Sequence, residues 1–282
     1  MKLRAFLIIL FFTPILTFAT GGKMSGSGTE QNPWQIADYE DLKAVGTGDY
    51  TMDGNYKLVA DIDASASKDE NCYQDTCYGF APIGIPGDFP AGSIAGFVQD
   101  WVGASFEGVI NGAGHKITGM YSGEDHYMYA GLILLNEGKV DSLTIVDGRF
   151  ISGERAGAIA AVNEGSITNC VLENVSVESA TFTGGVAGMN GGLIQNIKYT
   201  GIVKGVKDRE DVGGVVGYNE ETGEIRDVEI TADMTTDYYG KKIGGAVGVN
   251  LGKIVNVKVS GVKPQYTRKT GEMGRMSVGS LT

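Results

Sequence analysis

The sequence has few of the residues on which most enzymes and metal proteins depend. Its 282 residues include two histidines, three cysteines, two tryptophans and six prolines. The motifs HExxH, GxSxG and the phosphate-binding P-loop are all absent from it. So few prolines exclude a collagen-like or proline-rich chain, and apolar residues show no helical periodicity. These absences argue against a helical fold and against a metal-dependent or nucleophilic enzyme.

Positive charge is also scarce, since the net charge is −11 at pH 7. A surface of this sign repels phosphate backbones, so nucleic-acid binding is disfavoured. No cofactor is expected, but the acidic cluster Asp61, Asp63, Asp69 and Glu70 makes Ca²⁺ a candidate ligand. That cluster has neither the EF-hand pattern nor the calcium-binding nonapeptide.

Glycine is abundant, with 44 residues, and much of it belongs to a repeat between Tyr129 and Gly261. The clearest copies, GGVAGMNGGLIQNI, GGVVGYNEETGEIRDV and GGAVGVNLGKIVNV, begin at Gly184, Gly213 and Gly244. Two looser copies begin at Ala130 and Ala156. One asparagine anchors each copy, at steps of 27 to 31 residues: Asn136, Asn163, Asn190, Asn219 and Asn250. A second polar position follows in phase at Ser142, Asn169, Asn196, Asp227 and Asn256.

A fixed period of this length predicts a stack of repeats, each burying its apolar face against its neighbours. Short alternating segments between the asparagines indicate about three strands per coil. The sequence therefore predicts an all-β fold, a right-handed parallel β-helix or β-solenoid. Asn250 to Gly252 is expected to form a turn with positive φ. Both sets of asparagines are expected to form hydrogen-bonded ladders at the corners, and a row of ligand-binding amides is the functional alternative.

Four segments are predicted along the chain. Residues 1–19 have the charged, apolar and small-residue regions of a secretory signal peptide. Residues 20–128 form an N-terminal cap with the first coils and a short helix, Tyr39 to Val45, capped by Asp38. Residues 129–261 are the repeats, and residues 262–282 are a C-terminal tail or the start of a further coil.

The three cysteines fit an exported protein. Cys72 and Cys77 lie close together in a polar loop and predict a local disulfide in an oxidising compartment. Cys170 lies within a repeat and is expected to be a buried free thiol.

The repeat block, together with the upstream segments GSGTEQNPWQI, KLVADID and FEGVINGAGHKITGM, resembles the GLUG repeat of exported bacterial proteins. The resemblance covers residues 26–261, although Ala130 and Ala156 replace the leading glycine in the first two copies. It implies a secreted or surface β-helical module of the kind often called adhesin-like. Such modules also precede some immunoglobulin A-cleaving metallopeptidases. The resemblance implies no catalytic residues.

These observations together predict a non-catalytic binding or structural module, secreted or at the cell surface. Its partner is expected to be a surface glycan or a host or cell-surface protein. Tyr127, Tyr238 and Tyr239 are the candidate ligand-binding residues, because tyrosine rings stack on sugars and proteins. Binding is expected through four loops: Cys72 to Pro90, Ser122 to Met128, Gly205 to Asp211, and Asp233 to Lys242.

Two alternatives remain open. The first is a polysaccharide-active β-helix enzyme, a lyase or hydrolase, because parallel β-helices host paired carboxylates in lateral grooves. Its candidate residues are Asp141, Glu173, Asp208, Glu210, Asp211 and Asp227. The second is the N-terminal part of a larger surface protein or metallopeptidase.

Overall fold

The computed structural model describes residues 23–85, 105–124, 128–206, 211–236, 242–261 and 265–266. The predicted signal peptide and most of the C-terminal tail lie outside these ranges. Within them are one α-helix, α1 (Tyr39–Ala44), one 3-10 helix (Ser65–Asp69) and 27 strands.

The strands, in chain order, are β1 (Trp34–Ile36), β2 (Asn55–Leu58), β3 (Ile62–Asp63), β4 (Cys72–Tyr73), β5 (Thr76–Cys77), β6 (Val109–Asn111), β7 (Lys116–Thr118), β8 (Tyr121–Gly123), β9 (Tyr129–Ala130), β10 (Ile133–Asn136), β11 (Lys139–Asp141), β12 (Thr144–Val146), β13 (Arg149–Ser152), β14 (Arg155–Ala156), β15 (Ala160–Asn163), β16 (Ser166–Thr168), β17 (Val171–Ser179), β18 (Phe182–Gly184), β19 (Ala187–Asn190), β20 (Leu193–Gly205), β21 (Asp211–Gly213), β22 (Val216–Asn219), β23 (Glu224–Thr236), β24 (Lys242–Gly244), β25 (Val247–Asn250), β26 (Lys253–Ser260) and β27 (Gln265–Tyr266).

The strands of the repeats stack into three parallel sheets, and one of them, sheet I, continues into the N-terminal region. Sheet I has 15 strands and includes β1, β2, β6, β11, β16, β20, β23 and β26. Sheet II has the order β10-β15-β19-β22-β25, and sheet III has the order β9-β14-β18-β21-β24. The chain passes from sheet III to sheet II to sheet I once per coil. The predicted fold class, a parallel β-solenoid with a small N-terminal region containing a short helix, is confirmed.

Apolar side chains at the same position in each coil form the core. Ile110, Val140, Ile167, Ile194 and Ile225 are paired in register through sheet I, and all are completely buried. Burying a branched aliphatic side chain of this size stabilises the folded state by about 1.5–3 kcal/mol. The repeat period therefore aligns like residues, and each coil is stabilised by its neighbours.

The turn from sheet III to sheet II requires a residue without a side chain. A Cβ atom at Gly184 would lie 2.0 Å from the carbonyl oxygen of Ala187. In the preceding coil Gly157 has the same role, because its Cβ would lie 2.5 Å from the carbonyl oxygen of Ala160. The prediction that Ala156 replaces the leading glycine is therefore wrong, since Ala156 pairs with Thr183.

The five anchoring asparagines form one continuous row inside the solenoid. The Nδ2 atom of each donates to the Oδ1 atom of the next, at 2.7 Å for Asn136 to Asn163 and Asn163 to Asn190, and at 2.8 Å for Asn190 to Asn219 and Asn219 to Asn250. We call these residues the inner row. The first four are completely buried at the ends of sheet II strands.

The second polar position forms an outer row on a corner that faces solvent. Ser142, Asn169, Asn196, Asp227 and Asn256 all have left-handed φ angles, between 51° and 56°. Asn196 donates to Asn169 at 2.7 Å, Asn169 donates to Asp141 at 2.8 Å, and Asn256 donates to Asp227 at 2.7 Å. The prediction of positive φ at Asn250 is thus wrong. The inner asparagines are extended, and the sharp turn falls on the outer row.

The N-terminal region is joined to the coils by the same sheet. Strand β2 pairs with β6, which pairs with β11. Helix α1 begins after Asp38, whose Oδ1 accepts a hydrogen bond from the amide of Asp41 at 2.9 Å, and it ends one residue before the predicted Val45. Cys72 and Cys77 form a disulfide across the β4–β5 hairpin, and Cys170 is a buried free thiol.

Candidate binding surface

The tyrosines predicted to bind a ligand, Tyr127, Tyr238 and Tyr239, lie outside the described residues. Their positions in the chain are nevertheless informative. Residues 125–127, 207–210 and 237–241 come just before β9, β21 and β24, with one residue, Met128, between the first of them and β9. These strands belong to one parallel sheet, so their N-terminal ends lie on the same side of that sheet, the side on which every strand begins. Three of the four predicted binding loops therefore join the solenoid along one edge of sheet III.

An arginine between two aromatic rings occupies this edge. Tyr129, Arg155 and Phe182 are paired in register as the first residues of β9, β14 and β18. The guanidinium carbon of Arg155 lies 5.4 Å from the Tyr129 ring centroid and 5.7 Å from that of Phe182. Its NH1 group donates to the Tyr129 hydroxyl oxygen at 2.9 Å. Contacts of this kind stabilise a cation on aromatic faces by about 0.5–2 kcal/mol.

A row of apolar side chains on sheet II continues the surface. The ring centroid of Phe182 lies 5.6 Å from that of Tyr218 in an edge-to-face arrangement, and Arg155 Nε lies 3.1 Å from the sulfur of Met189. The register-paired residues of this row are Leu135, Val162, Met189, Tyr218 and Val249.

We call Tyr129, Arg155, Phe182, Met189 and Tyr218 the aromatic strip. Phe182, Met189 and Tyr218 are half-buried, so part of each side chain faces solvent. Successive coils are separated by about 4.8 Å. The strip is therefore a narrow surface that runs along the solenoid axis.

The strip carries little net charge. Burial raises the pKa of Tyr129, although the charge of Arg155 acts in the opposite direction. The phenol is therefore neutral at physiological pH. Glu154 Oε2 lies 3.6 Å from Arg155 NH1 and offsets the positive charge of the guanidinium. A surface of this composition suits a neutral ligand with an apolar face.

Two of the candidate catalytic carboxylates, Asp141 and Asp227, have structural contacts. Asp141 accepts hydrogen bonds from Thr168 and Asn169, and these lower its pKa although burial alone would raise it. Asp227 accepts from Asn256 in the outer row. The carboxylate of Asp141, held in its ionised form by these donors, is poorly suited to act as a general acid. Asp208 and Glu210 lie outside the described residues.

The candidate calcium cluster is divided among separate contacts. Asp61 lies 3.2 Å from His115 Nδ1, and Asp63 accepts from the amide of Ser65 at 2.9 Å. Glu70 accepts from Lys43 Nζ at 2.9 Å and from the Tyr39 hydroxyl at 2.7 Å. Within the described ranges, no group of three or more His, Cys, Asp or Glu side chains is placed to hold a metal ion.

Sequence reasoning missed Arg155, Phe182 and Tyr218. Tyr129, Arg155 and Phe182 occupy the same position in successive copies of the repeat. They are different residue types, so no repeated residue marks that position. Each of the three lies two residues before a glycine, Gly131, Gly157 or Gly184, and this shared position is the signal in the sequence that could have identified them.

The chain resembles two curated proteins in sequence and a solved structure in fold. No family model matches the chain, so the resemblance to the GLUG repeat stays a prediction. The chain is 30% identical over 209 residues to "Halomucin" of Haloquadratum walsbyi, a match that covers 74% of this chain and 2% of halomucin. It is 32% identical over 184 residues to a "Putative Gly-rich membrane protein" of Evansella cellulosilytica, which covers 62% of this chain and 18% of that protein.

One solved structure has the same fold along most of the chain. It is a Bacteroides ovatus protein described as a "putative immunoglobulin A1 protease", with a TM-score of 0.57 and 20% identity over 90% of this chain and 83% of that one. At this identity the likeness concerns the fold alone. This chain thus has a β-solenoid fold and matches short segments of much longer proteins. None of the helices in the described ranges is long and apolar enough to cross a membrane.

Proposed function

We propose that this protein is a non-catalytic binding module of the cell surface, and that the aromatic strip is its contact surface. The observation that carries the proposal is Arg155, held between Tyr129 and Phe182, with Phe182 against Tyr218. These contacts fix the rings in place before a ligand arrives, which reduces the entropy lost on binding.

A surface glycan is the ligand that this strip suits best. The faces of sugar rings are apolar and pack on aromatic rings, while their hydroxyls form hydrogen bonds with groups at the rim. The neighbouring Arg155 and Glu154, whose side chains are 19% and 37% exposed, provide such groups. An extracytoplasmic location agrees with the predicted signal peptide. The small share of each relative that this chain covers supports its being one part of a larger surface protein.

Binding should be tested with residues 20–282 on insoluble polysaccharides and on mucin, with the supernatant assayed for released sugar. We expect binding without release, and a loss of at least tenfold in the double variant F182A/Y218A. The matched control is I202A, which truncates an apolar side chain 46% exposed on sheet I, away from the strip. Equal binding by all three proteins would refute the assignment of the strip. Release of sugar would instead favour the polysaccharide-active enzyme.

A further inference from the structure

The outer row contains one step at which no side-chain hydrogen bond joins neighbouring coils. Asn196 donates to Asn169, and Asn169 donates to Asp141. In the next coil Asp227 has no amide, so no group among the described residues donates to Oδ1 of Asn196. Strands β20 and β23, which contain the two residues, are each paired with strands on both sides. The broken step therefore lies within the stack.

The order of residues in the row makes this break unavoidable. Two asparagines, Asn169 and Asn196, lie between two carboxylates, Asp141 and Asp227. Each amide has its N–H groups on one side and its carbonyl on the other, so a chain of two amides can donate to only one of the carboxylates. The amides donate toward Asp141, which leaves the carbonyl of Asn196 on the side of Asp227. A hydrogen-bond donor placed between these two acceptors would bond to both.

A groove of about 240 Å³ opens at this step. Beneath it Ile197 and Val228 are each 1% exposed and belong to the core. The polar lining comes from three successive coils and consists of Asn196, Lys198, Asp227, Glu229, Asn256 and Lys258. Two lysines and two carboxylates give the groove no net formal charge.

The partners of these polar groups show which of them can contact a ligand. Lys258 Nζ lies 3.4 Å from Glu229, and Asn256 donates to Oδ1 of Asp227 at 2.7 Å. The other carboxylate oxygen of Asp227 has only a long contact, at 3.5 Å, with Gln195. No carboxylate in the described ranges is within salt-bridge distance of the Lys198 ammonium group. The groove thus offers two acceptors, on Asn196 and Asp227, next to a donor, Lys198.

This arrangement suits a neutral ligand with several hydroxyl groups. A metal ion or an amine would meet two lysine ammonium groups, whereas a hydroxyl can donate to Asn196 or Asp227 and accept from Lys198. The two acceptors are one coil apart, about 4.8 Å, and neighbouring hydroxyls of one sugar ring can bridge them with hydrogen bonds of about 2.8 Å. We propose that this groove binds a neutral saccharide, through a pair of neighbouring hydroxyls at Asn196 and Asp227. The groove is formed by sheet I, away from the aromatic strip, so the proposal does not depend on the function proposed above.

The test is isothermal titration calorimetry of residues 20–282 with cellohexaose, mannohexaose, xylohexaose and maltohexaose. We expect saturable binding of at least one of them. Asp227→Asn should weaken that binding about tenfold, because the new amide donates to Asn196 in place of the sugar. The same change closes the outer row and keeps the acceptor for Asn256, so the midpoint of urea unfolding should not fall.

The matched control is Asp233→Asn, which makes the same change of charge at an exposed position of the same strand, outside the groove. It should bind as the unchanged protein does, and so should F182A/Y218A, which alters only the aromatic strip. Lys198→Gln should bind about threefold more weakly. Binding that Asp227→Asn leaves intact, an equal loss in Asp233→Asn, or no binding of any of the four sugars would overturn the proposal. Binding that F182A/Y218A abolishes and Asp227→Asn does not would also overturn it, by assigning the sugar to the strip.

Discussion

Replacing Asn190 with alanine should destabilise the solenoid more than the same change at the exposed end of the inner row. The side chain accepts from Asn163 at 2.7 Å and donates to Asn219 at 2.8 Å and to the carbonyl of Gly192 at 3.1 Å. Its removal leaves the side-chain carbonyl of Asn219 without a partner, and it leaves Nδ2 of Asn163 only the longer contacts with the carbonyls of Gly165 at 3.4 Å and Leu193 at 3.5 Å. Both atoms belong to completely buried residues. The unsatisfied buried carbonyl costs about 1–3 kcal/mol and the lost hydrogen bond of Asn163 costs about 0.5–1.5 kcal/mol, so we expect a loss of about 1.5–4.5 kcal/mol in the free energy of unfolding.

The matched control is Asn250→Ala, at the exposed end of the same row. Asn250 accepts one hydrogen bond from Asn219, at 2.8 Å. Its loss should cost about 0.5–1.5 kcal/mol, because water can replace the missing partner. A third variant, Asn190→Asp, keeps the shape and the acceptor for Asn163. It places a buried carboxylate against the carbonyl of Asn219, so it should be at least as unstable as the alanine variant.

The assay is urea unfolding followed by circular dichroism, with the midpoints compared at constant slope. Hydrogen exchange in β15, β19 and β22 then locates the damage. We expect faster exchange in these three strands for Asn190→Ala and little change for Asn250→Ala. If the two alanine variants lose the same stability, the inner row does not stabilise the fold through its internal hydrogen bonds, and the reasoning fails.

Three further predictions concern other positions in the coils. Partial burial and the charge of Glu220 raise the pKa of Glu164. Its contribution to stability is therefore complete at low pH and is lost as the pH rises through the folded-state pKa. Glu164→Gln should increase the urea midpoint at pH 7 but not at pH 3. Burial raises the pKa of Cys170 to about 12, so iodoacetamide at pH 8 should label it only after unfolding, as mass spectrometry would show. Gly184→Ala should cost about 1–3 kcal/mol in urea unfolding, because the new Cβ meets the carbonyl of Ala187 at 2.0 Å.

The sequence predicts the coil well because the solenoid places equivalent residues of successive coils beside one another. A step of 27 to 31 residues returns each asparagine to the same point on the next coil, and the hydrogen bonds of the inner row join residues at these separations. The sequence alone does not show whether the asparagine of the inner row or that of the outer row adopts the left-handed conformation. Both positions are followed by a turn or a new strand, and asparagine tolerates positive φ at either. Burial decides which of the two adopts positive φ, because the side-chain amide of the inner asparagine must bond to its neighbours while that of the outer asparagine faces solvent.

The aromatic strip could not be predicted in the same way. Repeats are recognised in a sequence by identical residues, whereas the strip depends on different residue types at the same position of each copy. Tyr129, Arg155 and Phe182 become a unit only through the register of β9, β14 and β18. Tyr218 comes from a different sheet, and its contact with Phe182 depends on the angle between sheets II and III. Such contacts follow from three-dimensional packing rather than from local sequence preference.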